Sequence, residues 1–148
     1  MDVEKLIREY LPNVLHMSLG TSADNKPWVC EVLFVYDDDL NLYWRSIPTA
    51  RHSREIAANP NVAGNIVMQH SRGEKPQGTY FEGTAEMLTG VTEDHPAYKL
   101  YAERHNRGPE MLEDAAKPEG NQFYKITVRD WYVFDTRGEK PGKYKLER

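Results

Sequence analysis

The chain opens with apolar residues at helical spacing: "VEKLIREYL" puts Val3, Leu6, Ile7 and Tyr10 on one face, and Pro12 closes the run. The pattern then changes. The blocks "VLHMSLGT", "PWVCEVLFVYD", "LNLYWRS", "VAGNIVMQH" and "GTYFEGTAEML" are rich in β-branched and aromatic residues, with the turn signals "SADNKP", "DDDLN" and "RGEKPQG" between them. These predict five strands. Two helical segments interrupt them: "TARHSREIAANP" after the third strand, and "TEDHPAYKLYAERHN" after the fifth, where Thr92 can cap and Ala97, Leu100 and Tyr101 share a face. "FYKITVRDWYVFD" adds one long strand or two short ones. Six or seven strands with short hairpins and few helices predict a mainly β chain with peripheral helices, folded as an antiparallel barrel that removes exposed edges.

Composition narrows the partners. With 148 residues the chain fits one domain, residues 1–148, able to bury roughly two-thirds of its unfolded surface. The 19 Lys and Arg against 23 Asp and Glu leave a net charge of -4, without the basic field that holds nucleic acid through phosphate neutralisation. Cys30 is the lone cysteine, so no internal disulfide forms. The start "MDVEKLIREYL" is too charged for a signal peptide and no apolar run approaches a membrane span, which gives the expectation of a reduced, cytoplasmic protein that binds neither membrane nor nucleic acid. Aromatics at 11%, spread along the chain, argue for a packed core rather than disorder.

One stretch concentrates cations within this mildly acidic chain. In "YWRSIPTARHSREIAANP", Arg45 and Ser46 end a strand, and Thr49, Arg51 and His52 fall at the start of the helix that stops near Asn59 and Pro60. A helix start offers unpaired backbone N–H groups and a partial positive charge, to which hydroxyl and guanidinium groups add directed donors for a phosphate. The same dipole repels Arg51, His52 and Arg54, a conflict that an anion offsets. A surface helix whose basic side chains pair with Glu55 and with acids of nearby loops accounts for the same residues. Both readings stand at this level.

The run "NLYWRSIPTARHSREIAANPNVAGNIV", with "SLGTSADNKPWVCEVLFVYDDDLNLYW" before it and "GTYFEGTAEML" after it, resembles the pyridoxamine 5'-phosphate oxidase-like family of FMN-binding split barrels. The similarity covers residues 14–88, with weaker agreement at "WYVFD". What the resemblance implies is an antiparallel split β-barrel of six or seven strands. It also implies FMN held noncovalently at the interface of a homodimer, with Ser46, Thr49, Arg51 and His52 at the phosphate and Arg45 near the ribityl or phosphate end. His52 stands where many members carry lysine, which makes charge at this position depend on pH. True pyridoxine phosphate oxidases have a C-terminal signature containing Arg-Leu-His that "DWYVFDTRGEKPGKYKLER" lacks, so vitamin B6 oxidation is not expected.

The remaining candidates read as structural. His16, His52, His70, His95 and His105 form no pair at metal-ligand spacing on one helix face. Cys30, inside "PWVCEVLF", reads as a small core residue. Tyr98 and Tyr101 read as packing on the barrel or across a dimer, and Trp131 as either a flavin-stacking or a core residue. "RGEKP" occurs twice, at residues 72–76 and 137–141, as turn chemistry with unlike flanks, and the basic tail reads as a solvated or partner-draped terminus. The expected function is FMN-dependent oxidation or reduction of a small molecule, without a catalytic acid or base from the protein. The alternatives are a noncatalytic flavin- or haem-binding protein on the same barrel and a ligand-free barrel that serves only in assembly.

Overall fold

The computed structural model describes residues 2–135 and 142–148. The first helix, α1 (Val3–Tyr10), begins where Asp2 accepts the Lys5 amide at 3.1 Å and buries Ile7 and Tyr10. A single 3-10 turn at Leu11–Asn13, which contains Pro12, ends it. The strands β1 (His16–Ala23) and β2 (Lys26–Leu33) form a hairpin. Its two turn residues, Asp24 and Asn25, both have positive φ (51° and 59°), a conformation Asp and Asn tolerate and one that suits the twist of the flanking strands.

The expected second strand is broken. Phe34 is fully buried and its amide bonds the Leu15 carbonyl at 3.2 Å, which leaves β3 (Val35–Tyr36) as a separate short strand. After it come β4 (Leu42–Ser46), α2 (Arg51–Ala58), β5 (Asn61–Val67) and β6 (Gln77–Met87). The helices α3 (Pro96–His105) and α4 (Glu110–Ala115) precede β7 (Gln122–Asp135) and β8 (Gly142–Lys145). Thr92 is not the cap of α3. Pro96 is preset for the first helical position, so the cap falls on His95, whose Nδ1 accepts the Ala97 amide at 3.0 Å.

The eight strands make one antiparallel sheet in the order β2-β1-β5-β6-β7-β4-β3, with β8 on the free stretch of β7 beyond β4. β7 is one continuous strand that carries β4 on its first half and β8 on its last residues, so the tail is partly sheet rather than a solvated end. Leu146 continues this docking through its amide to the Trp131 carbonyl at 2.9 Å. The second "RGEKP" copy lies outside the described residues. β2 curls round to lie beside β4 without a ladder between them, so the sheet is a half-barrel with a seam, the split form rather than a closed one.

Alternation along each strand gives two apolar layers. Inside the barrel, Met17, Leu19, Trp44, Ile66, Phe81 and Trp131 pack together, with Ile7 and Leu11 of the first helix against them. On the outer face of β3, β4 and β7, Val35, Tyr43 and Phe123 meet Tyr98, Tyr101 and Met111 of α3 and α4. The two tyrosines thus pack on the barrel itself. Successive residues of β4 therefore serve different layers, and that alternation sorts the candidate site residues.

Candidate functional site

The seam brings the end of β4, the start of α2 and the β1–β2 hairpin together. Ser46 shares the inner face of β4 with Trp44 and is buried. Its Oγ accepts the Trp44 Nε1 hydrogen bond at 3.1 Å and lies 2.7 Å from His52 Nε2. A turn at residues 47–50, closed by the Ala50 amide on the Ile47 carbonyl at 3.2 Å, carries Thr49 on the surface. α2 starts at Arg51 with no side-chain cap from Ala50 and no acidic residue in its first turn. The first amides of such a helix have no partner within it. On the buried side of the same turn, Ser53 Oγ has no hydrogen-bond partner.

Arg51 has two neighbours. Its Nε donates to Glu55 Oε2 at 2.8 Å, and its guanidinium lies 4.2 Å from the centre of the Trp28 ring. Thr21 donates to the other Glu55 oxygen at 2.7 Å. Hydrogen bonds from Arg51 and then Thr21 hold the Glu55 carboxyl below its usual range. Burial is the first influence on His52 and lowers it below 6.5, while Glu55 pulls the other way. Beside α2 runs an open groove of about 470 Å³, lined by Lys26, Arg51 and Arg54 with Asp24 and Glu55.

Of the residues named from sequence, Ser46, Thr49, Arg51 and His52 come together around one helix start. Arg45 does not join them. Alternation turns its side chain to the outer layer, where only 6% of it is exposed, paired with Asp114 at 3.2 Å and lying over the rings of Phe123 and Tyr101. Burial lowers its pKa, and its Nε is buried without a hydrogen-bond partner. Trp131 is fully enclosed in the barrel, beside Phe81 and donating to the Leu40 carbonyl at 3.1 Å, so the structure places it in the core. The sequence reading passed over Trp28, Thr21 and Trp44. Trp44 was open to it, since it stands two residues before Ser46 on the same strand face, whereas Thr21 and Trp28 reach the site only through the hairpin's fold.

Cys30 is half-buried in β2 against the barrel core, and burial followed by Glu31 and Glu55 raises its thiol pKa. Among the described residues no group of three or more His, Cys, Asp or Glu is placed to hold a metal, and no helix is long and apolar enough to cross a membrane.

Comparison with known proteins gives a family and a fold. The family described as pyridoxamine 5'-phosphate oxidase matches residues 3–135. No curated protein matches the chain. Among solved structures, a putative 5-nitroimidazole antibiotic resistance protein from Bacteroides thetaiotaomicron is 14% identical, with a TM-score of 0.72 over 88% of this chain and 82% of that one. General Stress Protein 26 from Bacillus anthracis is 18% identical, with a TM-score of 0.65 over 99% of this chain and 100% of that one. The haem storage protein HutZ from Vibrio cholerae is 18% identical, with a TM-score of 0.64 over 97% of this chain and 94% of that one. At these identities the likeness is one of fold.

Proposed function

This chain belongs to the pyridoxamine 5'-phosphate oxidase family, and from that premise we propose that it is an FMN-binding oxidoreductase acting on a small molecule, with the flavin phosphate at the start of α2. The observation that carries this reading is the convergence of Ser46, Arg51 and His52 on a helix start with neither a side-chain cap nor an acidic residue in its first turn. These residues suit a phosphomonoester. The unpartnered amides and the helix dipole favour an anion, and Arg51, His52 and the two hydroxyl groups of Ser46 and Thr49 supply charge and directed donors. Arg45 and Trp131 have no part in this grouping. When bound, FMN supplies the ring that accepts and donates hydride, and the protein's share is to anchor and orient it. The reading includes a twofold dimer, because Trp28 and Val29, 40% and 62% exposed on β2 beside the site, leave apolar surface that a second copy would cover.

The test is the absorbance spectrum of the purified protein, followed by addition of a nicotinamide donor. A bound flavin that is reduced and reoxidised with turnover supports the enzyme. The similar fold of a haem storage protein favours a second reading, a noncatalytic binder, which predicts a flavin that stays inert or a haem spectrum. Protein that takes up no flavin overturns the first reading.

A further inference from the structure

We propose that Trp44, Ser46 and His52 form a proton-coupled latch at the anion site, in which binding of a phosphate takes up one proton onto His52 and frees the Ser46 hydroxyl to donate to the ligand. The inference rests on the anion-site reading above and adds to it a mechanism set by this chain's histidine.

The argument begins with hydrogen-bond capacity. The indole N–H of Trp44 can only donate, and the ring is fully buried and stacked on Tyr124 with 4.9 Å between centres, so it permanently takes one lone pair of Ser46 Oγ. Ser46 keeps one hydrogen and one lone pair. Across the 2.7 Å contact to His52 Nε2 there is room for one hydrogen. With neutral His52 in the Nδ1–H tautomer, which the latch takes as its resting state, it is the serine's, and the hydroxyl has nothing left to give. With protonated His52 it is the imidazole's; Ser46 then accepts twice, and its own hydrogen turns to a new acceptor. A phosphate oxygen at the helix start is that acceptor, and the imidazolium adds a charge beside it. One proton from solvent thus changes both the charge and the donor count of the site.

The surroundings favour the neutral state until an anion arrives. On its own helix His52 has Arg51, Arg54 and Glu55. Of the elements packed against this helix, the hairpin carries Asp24, Lys26 and Cys30, and β6 carries Glu82 and Glu86, of which Glu82 is bonded to Tyr132 and Arg129. Arg45 of β4 faces the other layer. Of these only Glu55 acts appreciably on the imidazole, upward, and its charge is shared with Arg51. Burial outweighs it. A phosphate carrying nearly two charges reverses that balance, because an adjacent anion favours the protonated ring. Lysine at this position is permanently charged and cannot accept from Ser46, so the latch needs an imidazole.

Calorimetric titration of FMN at pH 7.5, in two buffers of different ionisation enthalpy, counts the protons directly. At that pH the phosphate is close to dianionic, its second pKa being about 6, so uptake reports the protein. Wild type is expected to take up a large fraction of a proton per FMN and His52→Lys none. Between pH 6.5 and 8.5 the wild-type affinity is expected to weaken, by up to about tenfold per pH unit while the free histidine is neutral and the bound one still protonated, and to level off once the bound histidine deprotonates, while that of His52→Lys stays flat. No uptake by wild type, or equal uptake by both proteins, overturns the latch. Should FMN bind neither, the flavin reading falls, and the latch is then read by NMR with inorganic phosphate: a His52 titration midpoint that rises on adding phosphate supports it, and an unmoved one sinks it. In the ligand-free protein Trp44→Phe returns a lone pair to Ser46 and is expected to raise that midpoint. An unchanged midpoint removes Trp44 from the latch.

Discussion

Arg51 divides its guanidinium between the Glu55 carboxylate and the face of Trp28, and 40% of its side chain stays exposed. An arginine in that position is pre-aimed, since its stem is fixed before a ligand arrives and its remaining N–H groups are not spent on Glu55. Arg51→Ala is therefore expected to weaken FMN binding by about tenfold or more, from roughly 1.5 to 3 kcal/mol for a charge-assisted contact. Wild-type affinity in a flavin fluorescence titration would reduce the pair to a surface contact. A second consequence concerns stability. Burial lowers His52 and His105 below 6.5, so between their folded pKa values and 6.5 the unfolded chain binds more protons than the folded one. Stability then rises with pH through that window and is lost on acidification. Urea unfolding of the ligand-free protein should show lower stability at pH 5.5 than at pH 7.5, with a smaller gap in His52→Gln. That Arg51 and His52 stand at the start of α2 with Ser46 beside them was legible in the sequence, because cations at a helix start oppose the dipole. Arg45 was misleading for a local reason: neighbours on a strand point to opposite faces, and spacing to the cluster says nothing of that.

Helix α4 shows what holds a short element in place. Six residues are too few to persist alone, and Asp114 ties this helix to the barrel by accepting from Arg45 and from both the amide and the side chain of Asn121. Those bonds from Asn121, ahead of Arg45, hold the Asp114 carboxyl below the usual range. Asp114→Asn would leave the Arg45 charge buried without a carboxylate. The expected cost is about 2 kcal/mol, less than for a fully enclosed pair because the Asp114 side chain is 34% exposed. Denaturant unfolding measures it, and hydrogen exchange should quicken first in α4. Strands β1, β2 and β4 to β7 and helices α1 to α3 were readable from periodicity. α4 and β8 were not, because neither has a pattern long enough to stand out, and both exist through contacts made by β4 and β7. The break at Phe34 escaped for a similar reason, since an unbroken apolar run cannot show where its backbone turns toward Leu15.

At the scale of the whole molecule the seam between β2 and β4 positions the candidate site. It leaves β2 as an edge with Trp28 and Val29 exposed, close to the end of β4 and to α2. A second copy covering that edge gives a dimer, so light scattering at micromolar concentration should return about twice the chain mass of 17.1 kDa. A mass of one chain would contradict the dimer. The barrel class was legible from strand count and hairpin spacing, whereas its seam follows from how far β2 curls, which no local pattern encodes. The central claim is that the start of α2 holds the phosphate of a flavin, and the most direct measurement compares FMN with riboflavin, the same ring and ribityl chain without the phosphate. Titrated by fluorescence into the wild-type protein at pH 7, FMN is predicted to bind at least about tenfold more tightly, the worth of one charge-assisted contact or more. Equal affinity for the two would contradict the account.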